Sequence, residues 1–364
     1  MMIKSKPIMA IYGMAFLLLC CVATLATFVV RADKLKPDVY GIMPFLSGKV
    51  AASFEKKFEE NLIIRDQMVG IWGVIQYGIF KSGGKKVVVG TDDWLFTTEE
   101  FEHPKNADAA EKRLLTLVST VDGYLAAHNI ELIVALVPAK ARIYPEHLGR
   151  HAVPEFRQPL YSRVHEAIAQ AGVPVPDLSA LFVSSKKMQP LFLRLDTHWT
   201  PAGAELVAKA IADEAKNIVL EKSTFKTVAS DAVPVEGDLE KYIKTGPFNS
   251  WLAPERDILT TYKVEKESAG DLFATEVIPV ALIGTSYSAI DKWNFEGALK
   301  SALQADVLNL ADEGQGPLEP MAKFLKDTDI SNTKIKLVVW EIPERFITTS
   351  YDDVVFPDFI EGAQ

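Results

Sequence analysis

The chain opens with a long apolar run. Residues 8–30 contain no charged side chain, and roughly 20 apolar residues are enough for a helix to cross the hydrocarbon core of a membrane. Lys4 and Lys6 precede the run, so the positive-inside rule predicts a cytoplasmic N-terminus and an exported remainder. We expect an uncleaved anchor, because the apolar core of a cleaved signal peptide is usually shorter, about 7–15 residues. A cleaved signal peptide is the alternative.

After the apolar run, amphipathic and strand-like segments alternate. Apolar positions recurring every three or four residues predict helices at 51–80, 107–128, 157–171 and 201–217. Short apolar runs bounded by turn signals predict strands at 131–138, 173–178, 277–284, 305–310 and 334–343, with a strand and an edge piece in 85–96. This alternation predicts an α/β fold with a mostly parallel sheet covered on both faces. The polar segment 218–275 has weak periodicity, and we interpret it as an excursion from the sheet.

Composition narrows the class of protein only slightly. Of the 364 residues, 48% are hydrophobic and 24% charged, which is typical of a folded chain. The formal charge of −9 argues against a nucleic-acid partner, which would favour a basic surface. Both cysteines, Cys20 and Cys21, lie in the apolar run. The exported part therefore has no disulfide, no thiol nucleophile and no cysteine metal site.

Candidate chemistry begins with "LDTHWTPAG" at residues 195–203. Thr200 is a favourable N-cap and Pro201 a favourable first helical residue, so the stretch predicts a helix start. In an extended segment residues two apart point the same way, so Asp196 and His198 can share one face. A carboxylate beside an imidazole is two-thirds of a nucleophilic relay. An acid and a histidine with no role beyond the helix cap are the alternative.

The missing nucleophile is predicted in "VALIGTSYSA" at residues 280–289. A buried strand ends there at Gly284, and Ser286 follows on a tight turn at the carboxyl end of a strand, where reactive groups of open parallel sheets collect. His198 can deprotonate Ser286 while Asp196 orients the imidazole. Gly284 and the backbone N–H of Ser286 are candidate oxyanion donors. An ordinary strand-to-loop turn is the alternative.

The motifs together resemble the SGNH-hydrolase-like domain of bacterial exopolysaccharide O-acetylation proteins, the AlgJ/AlgX group with its cellulose-acetylation relative WssI. The matching pieces occur in the family's order, as "GTDDWLF" (90–96), "VPAKARIYPEHL" (137–148), "DTHWTPAG" (196–203), "EGDLEKYI" (236–243), "GTSYS" (284–288) and "WEIPERF" (340–346). The resemblance implies a catalytic triad of Asp196, His198 and Ser286, in the permuted order with the serine last. It also implies a three-layer αβα architecture.

Combined with the apolar run, the resemblance implies five parts. We expect a cytoplasmic tail, a transmembrane signal anchor, a linker, an SGNH hydrolase-like catalytic domain and a C-terminal tail, at residues 1–7, 8–30, 31–50, 51–350 and 351–364. The stretch after residue 346 is too short for the carbohydrate-binding module that follows the catalytic domain of AlgX. The expected arrangement is therefore closer to AlgJ or WssI.

The function implied by the resemblance is acetyl transfer in the periplasm, by a protein anchored in the bacterial inner membrane. Ser286 takes an acetyl group from a donor, and a hydroxyl of an exopolysaccharide, alginate or cellulose, then accepts it. The implied partners are that polymer, a membrane-bound O-acyltransferase as acetyl donor and other polymer secretion components; no cofactor is expected. A carbohydrate acetylesterase and a non-catalytic anchored scaffold that binds polysaccharide are the other interpretations.

Several side chains are candidates for substrate contacts. Trp199 and Tyr287 flank the relay and have rings that can stack on sugars, with core packing as the alternative. Lys140 and Arg142 follow a strand end and can meet a carboxylated polymer, with a solvated loop as the alternative. Further stacking candidates are Trp251 and Trp293. The remaining histidines show no metal-ligand spacing, so no metal is expected.

Overall fold

A computed structural model describes residues 6–248, 253–267 and 277–361. The α-helices are α1 (Lys6–Val30), α2 (Ile42–Leu46), α3 (Lys49–Asn61), α4 (Arg65–Val74), α5 (Ala107–Ala126), α6 (Lys140–Ile143), α7 (Leu160–Gln170), α8 (Leu178–Ser185), α9 (Pro201–Glu214), α10 (Ser286–Ala289), α11 (Phe295–Leu303), α12 (Leu318–Asp327) and α13 (Asp358–Glu361). The strands are β1 (Val87–Val89), β2 (Leu95–Thr97), β3 (Glu131–Val137), β4 (Phe225–Ala229), β5 (Val233–Val235), β6 (Asp257–Leu259), β7 (Tyr262–Lys266), β8 (Val280–Ile283), β9 (Val307–Asn309) and β10 (Leu337–Pro343).

The chain divides into two compact units. One comprises the residues up to Lys81 together with Ile243–Ala253, and the other comprises Ser82–Tyr242 and the chain from Pro254 onward. The division therefore falls at Lys81, whereas the sequence patterns suggested a boundary at residue 51. The five expected parts stay a prediction.

In the first unit, α1 contains a stretch, Ala10–Val30, that is long and apolar enough to cross a membrane. Most of its large apolar side chains are exposed; Leu18, for example, is 65% exposed. Near its end, Phe28 packs on Phe54 and Phe58 of α3, with ring centroids 6.2 and 5.7 Å apart. The apolar helix predicted at the N-terminus is thus present, and exposure of its apolar surface is what a lipid environment favours.

The single helix predicted over residues 51–80 is interrupted. Helix α3 ends at Asn61 and α4 begins at Arg65, because the N–H of Ile63 donates to the hydroxyl of Thr27 (3.1 Å) and is lost to the helical ladder. A five-residue π-helical turn, Ile75–Ile79, follows α4. The periodicity of the segment identified helical faces but could not reveal a hydrogen bond to a residue far away in sequence.

The core of the second unit is a four-stranded sheet in the order β3-β10-β8-β9. All three neighbouring pairs are parallel. Side chains alternate between two buried faces, so that Ile133 of β3 joins one core cluster and Leu132 the other. Helices α8, α9 and α11 contribute to the first cluster, and α5, α7 and α12 to the second. The predicted three-layer αβα fold is confirmed.

Two further segments test the predicted element order. The predicted strand at 173–178 is wrong: Pro174 and Pro176 have no N–H to donate to a ladder, and α8 begins at Leu178 with the carboxylate of Asp177 accepting from the N–H of Ala180 (3.0 Å). The excursion predicted at 218–275 is confirmed for 218–248 and 253–267, the parts of it that the structure describes, since their strands form two separate antiparallel pairs, β4–β7 and β5–β6.

The parallel strands also position the functional residues. Strands β3, β8 and β10 run in one direction and end at Val137, Ile283 and Pro343. The segments that follow carry Lys140, Ser286 and Arg345, and these residues all gather at the carboxyl edge of the sheet.

Candidate active site

The segment that carries the predicted acid and base leads directly into α9. The hydroxyl of Thr200 accepts from the N–H of Gly203 (3.2 Å), and Pro201 is the first helical residue. Trp199 forms an isolated antiparallel bridge with Phe192, and residues 194–198 between them form a bent loop in which the N–H of Leu193 donates to the carbonyl of His198 (3.2 Å). The side chains of Asp196 and His198 meet because the carboxylate of Asp196 accepts from the backbone N–H of His198 (2.9 Å), a local turn rather than the extended backbone on which the prediction rested.

The structure brings the three predicted relay residues together. Nδ1 of His198 donates to Oδ1 of Asp196 (2.6 Å), and Oγ of Ser286 donates to Nε2 of His198 (2.7 Å). The serine is 88 positions from the histidine in sequence, so only the fold can place the two side chains in contact. The imidazole lies between carboxylate and hydroxyl, the geometry that activates a serine nucleophile.

Asp196 is held as a carboxylate. Its oxygens accept from the backbone N–H groups of His198 (2.9 Å) and Asp238 (2.9 Å), in addition to the imidazole. Burial alone would raise the pKa of Asp196, but the hydrogen bonds and charge of His198 more than offset it and lower the pKa below its ordinary value. An ionised Asp196 keeps the proton on Nδ1 and leaves Nε2 free to accept one from Ser286.

A second carboxylate, Asp238, stands beside the relay. It accepts from the N–H and the hydroxyl of Thr197 (2.8 and 2.7 Å), and its Oδ2 is 4.0 Å from Nδ1 of His198. This residue was not among the predicted site residues, although it lies in "EGDLEKYI", one of the motifs that carried the resemblance. The motif contributed to the family resemblance, but nothing in the sequence indicates that residue 238 lies beside residue 198 in the fold.

Ser286 is presented by a turn that a buried acid supports. Thr285 caps α10, and its N–H donates to Oε2 of Glu341 on β10 (2.7 Å). Gly284 packs against that carboxylate so closely that a Cβ there would lie 2.5 Å from Oε2. Burial raises the pKa of Glu341 to about 7, while hydrogen bonds from Thr285 and Ser288 partly oppose the shift.

Of the two predicted oxyanion donors, Ser286 is better placed. As the first residue of α10 it belongs to the turn whose N–H groups lack intrahelical partners. Gly284 lies behind the turn against Glu341, where its α-carbon fills space that no side chain could occupy. The oxyanion role of the Ser286 N–H stays a prediction.

The predicted aromatic contacts with substrate are wrong for the residues that the structure describes. Trp199 is fully buried and its Nε1 donates to the carbonyl of Tyr287 (3.1 Å). Tyr287, also buried, donates its hydroxyl to the carbonyl of Thr197. Trp293 stacks on the His198 ring with centroids 5.2 Å apart. These rings immobilise the imidazole and present no face to a sugar. Trp251 lies outside the described residues.

The predicted cationic contacts are also replaced by structural roles. Lys140 is buried, and its ammonium donates to the carbonyls of Leu95 (2.6 Å), Arg194 (2.8 Å) and Asp196 (2.9 Å). Burial lowers the pKa of Lys140 to about 8, against the opposing charge of neighbouring carboxylates. Arg142 pairs with Glu344 through two of its nitrogens. Neither side chain is available to a polymer in this conformation.

A cavity of about 290 Å³ is lined by Ser286, Thr285, Thr197 and Asp238. Arg345, from the motif "WEIPERF", lines the same cavity and is 7% exposed. The predicted nucleophile therefore lines a cavity whose volume is sufficient for a small group such as an acetyl ester and part of a sugar. Sequence reasoning gave Arg345 no role, since the motif that contains it carried only the resemblance.

The described residues include one group of potential metal ligands, Asp196, His198 and Asp238, whose ligand atoms lie within 4.8 Å of one another. Nδ1 of His198 is hydrogen-bonded to Asp196 and Nε2 to Ser286. Both ring nitrogens are therefore occupied by hydrogen bonds in this structure, and neither is free to coordinate a metal without breaking one. The absence of a catalytic metal stays a prediction.

A parallel αβα sheet with this site at its carboxyl edge places the chain in the SGNH hydrolase-like class. The family model "SGNH hydrolase-like domain, acetyltransferase AlgX" matches residues 87–344. The chain belongs to this family of O-acetyltransferases.

The chain is similar to the "Probable alginate O-acetylase AlgJ" of Azotobacter vinelandii, with 39% identity over 85% of this chain and 82% of the relative. It is 40% identical to the protein of the same name from Pseudomonas putida, over 85% of this chain and 83% of the relative. A solved structure described as "O-Acetyltransferase Domain of Pseudomonas putida AlgJ" matches with a TM-score of 0.68 and 39% identity, over 76% of this chain and 97% of that one.

Proposed function

We propose that this protein transfers acetyl groups, through an acetyl-serine intermediate on Ser286, onto hydroxyls of an exopolysaccharide in the periplasm. The observation that carries the proposal is the continuous hydrogen-bonded path from Asp196 through His198 to Ser286, with the serine lining an open cavity. The apolar helix ending at Val30 supports anchoring in the inner membrane.

In the first half-reaction, Nε2 of His198 takes the proton of the Ser286 hydroxyl as Oγ attacks the acetyl carbonyl of the donor. The bond between that carbonyl and the donor breaks, and His198 returns the proton to the departing group. Asp196 stabilises the imidazolium that exists between these transfers. The product is an ester of Ser286.

In the second half-reaction, a hydroxyl of the polysaccharide gives its proton to Nε2 of His198 and attacks the acetyl-serine. The ester bond to Oγ breaks, the proton returns to Oγ, and the acetyl group stays on the sugar. Water attacking in place of the sugar would release acetate instead. Transfer therefore depends on acceptor binding in the cavity over Ser286, which aligns the sugar and displaces water.

The names of the relatives, alginate O-acetylases, support alginate as the acceptor. As the immediate donor we propose a membrane-bound O-acyltransferase, in a complex with other polymer secretion components. The membrane anchor supports this arrangement because it keeps the catalytic unit near a donor that itself lies in the membrane.

The test uses the full chain in detergent with p-nitrophenyl acetate as donor and alginate oligosaccharides as acceptor. Acetylated oligosaccharide, detected by mass spectrometry, is the expected product. Ser286→Ala should lower its formation at least about 10³-fold, while the circular dichroism spectrum and the unfolding midpoint stay close to wild type. Ser184→Ala, at an exposed serine of α8, is the matched control and should leave activity unchanged.

Three outcomes would contradict the proposal. Release of acetate without sugar ester would indicate a carbohydrate esterase. Absence of turnover combined with measurable oligosaccharide binding would indicate a scaffold. Full activity of the Ser286→Ala variant would show that another group is the nucleophile.

A further inference from the structure

The side chain of Arg345 has donors that the protein does not use. Its Nε and Nη1 atoms are buried without a hydrogen-bond partner among the described residues. The nearest acidic atom, Oε2 of Glu99, is 3.5 Å from Nε, and the side chain of Glu99 is 43% exposed. A buried guanidinium whose N–H groups lack hydrogen-bond acceptors raises the free energy of the folded protein. A ligand that accepts hydrogen bonds from these groups would therefore stabilise the side chain.

The surroundings hold the guanidinium in place and supply the ion pair with Glu99, but they leave its Nε and Nη1 atoms without a hydrogen-bond acceptor among the described residues. Its central carbon lies 4.7 Å from the ring centroid of Phe346 and 5.3 Å from that of Tyr287. Stacking on two rings fixes the plane of the guanidinium and lowers the entropy lost on binding a ligand. Tyr287 adjoins Ser286 in sequence, so the guanidinium is placed beside the nucleophile-bearing turn.

The balance of charge in the cavity differs from that of the whole chain. The chain has 48 acidic and 39 basic residues, yet the cavity over Ser286 is lined by three cations, Arg345, Lys86 and Lys241, and by two acids, Glu99 and Asp238. Asp238 is already occupied by its hydrogen bonds to Thr197. The ammonium groups of Lys86 and Lys241 make no ion pair within the part of the chain that the structure describes, and both residues are exposed.

We propose that Arg345, assisted by Lys86 and Lys241, binds the carboxylate of a uronic acid unit in the acceptor and so selects an anionic polysaccharide over a neutral one. The inference rests on the proposed function, because it assigns a residue to the acceptor step of that reaction. A guanidinium suits this role because its planar fork matches a carboxylate, and charge-assisted bonds of this kind are stronger than neutral ones. Glu99, being partly exposed, can move aside when the ligand carboxylate arrives.

The experiment compares two acceptors that differ only at C6 of each sugar unit, which is a carboxylate in one and a neutral hydroxymethyl group in the other, and it counts only esters on the ring hydroxyls that both share. Oligomannuronate and its carboxyl-reduced counterpart have the same linkages, and each is offered to the full chain in detergent with p-nitrophenyl acetate as donor. The measured quantity is the ratio of kcat/KM for the charged acceptor to that for the neutral one. Because both reactions share the first half-reaction, changes in donor chemistry cancel in this ratio.

The wild-type protein is expected to favour the charged acceptor at least tenfold. Arg345→Gln should reduce the ratio toward one, and Arg345→Lys should give an intermediate value, since it keeps the charge but not the fork. Arg163→Gln, at a half-exposed ion pair with Glu111 on the outside of α7, is the matched control and should keep the wild-type ratio.

The inference would be overturned by a wild-type ratio near one, which needs no variant and so does not depend on whether Arg345→Gln folds. A ratio unchanged in the Arg345 variants would also overturn it, because the preference would then come from elsewhere. If the wild type acetylates neither sugar but still releases p-nitrophenol, the proposed transfer function itself fails. If it acetylates both equally, that function stands and only the role of Arg345 is lost.

Discussion

Each side of the His198 ring is occupied by a group that limits its movement. Asp196 binds Nδ1, Ser286 binds Nε2, and the rings of Trp293 and Tyr287 lie 5.2 and 4.8 Å from it. A base held in this way needs little reorganisation before it takes a proton. The aromatic residues that we expected to meet a sugar thus contribute to catalysis indirectly, by fixing the imidazole.

Asp238, the second carboxylate beside the relay, is expected to affect the rate of acetyl transfer. Asp238→Asn removes a negative charge 4.0 Å from Nδ1 of His198 while keeping a hydrogen-bond acceptor for Thr197. The imidazolium formed during transfer then loses part of its stabilisation, so kcat for p-nitrophenyl acetate should fall about tenfold, or ~1.4 kcal/mol.

The control is Glu236→Gln, a change of the same kind two positions earlier, where the side chain is 65% exposed and paired with Arg256. It should leave kcat within about twofold of wild type. An Asp238→Asn variant with unaltered kcat would mean that only the hydrogen bonds of this residue matter.

The relay residues could be predicted from the sequence because their local signals are strong. Asp196 and His198 are two apart before a capped helix, and Ser286 follows a strand and a glycine. Asp238 and Arg345 lacked such signals, because what brings them to the site is the path of the chain. The burial of Trp199 and Lys140 could not be predicted from the sequence either. Tryptophan and lysine occur at binding surfaces, but they can also be buried in a core when their polar atoms have hydrogen-bond partners.

At the scale of elements, β10 supports the turn at the end of β8. The two strands are paired in register up to Trp340 and Ile283, and the next residue of β10, Glu341, places its carboxylate under Gly284 and Thr285. The nucleophile is therefore positioned from a neighbouring strand as well as by its own turn.

A pH-dependent difference in stability follows from Glu341. Its folded pKa of about 7 lies above the ordinary value of 4.5, so the acid favours folding most below pH 4.5 and loses that advantage as the pH rises through 7. Relative to Glu341→Gln, wild type should therefore lose up to about 3 kcal/mol between pH 4.5 and 8. Urea unfolding midpoints of both proteins across this range measure the effect.

As a control, Glu205→Gln at an exposed ion pair of α9 should show a nearly constant difference from wild type. Parallel curves for wild type and Glu341→Gln would contradict the assignment of the titration to this residue.

Elements with clear periodicity were predictable from the sequence, and those set by distant partners were not. The run at 131–138 emerged as β3 because its side chains are buried on both faces of a parallel sheet. The run at 173–178 also contains aliphatic residues, but its two prolines have no N–H to donate to a strand ladder. The order of strands in the sheet was beyond prediction, because pairing of β10 with both β3 and β8 depends on contacts between segments far apart in the chain.

For the molecule as a whole, the testable feature is the apolar helix α1, which is long and apolar enough to cross a membrane and which we propose as the anchor. Replacing both Leu17 and Leu18, which are 63% and 65% exposed, with arginine should cost roughly 5–7 kcal/mol of membrane insertion, at about 2.5–3.5 kcal/mol for each charge near the helix centre. The full chain should then shift largely from the carbonate-washed membrane fraction to the soluble fraction. The matched pair of alanine substitutions should stay in the membrane fraction, and retention of the arginine variant there would indicate a second attachment.

The buried ammonium of Lys140 has a consequence for how this protein matures. It joins the carbonyls of Leu95, Arg194 and Asp196, which belong to a hairpin strand and to the segment before α9, while Lys140 itself follows β3. None of these segments can satisfy the others until all have docked, because they are distant in sequence and loop closure must come first. The backbone position of Asp196 therefore depends on three segments docked together, and the relay is complete only when the fold around Lys140 is complete.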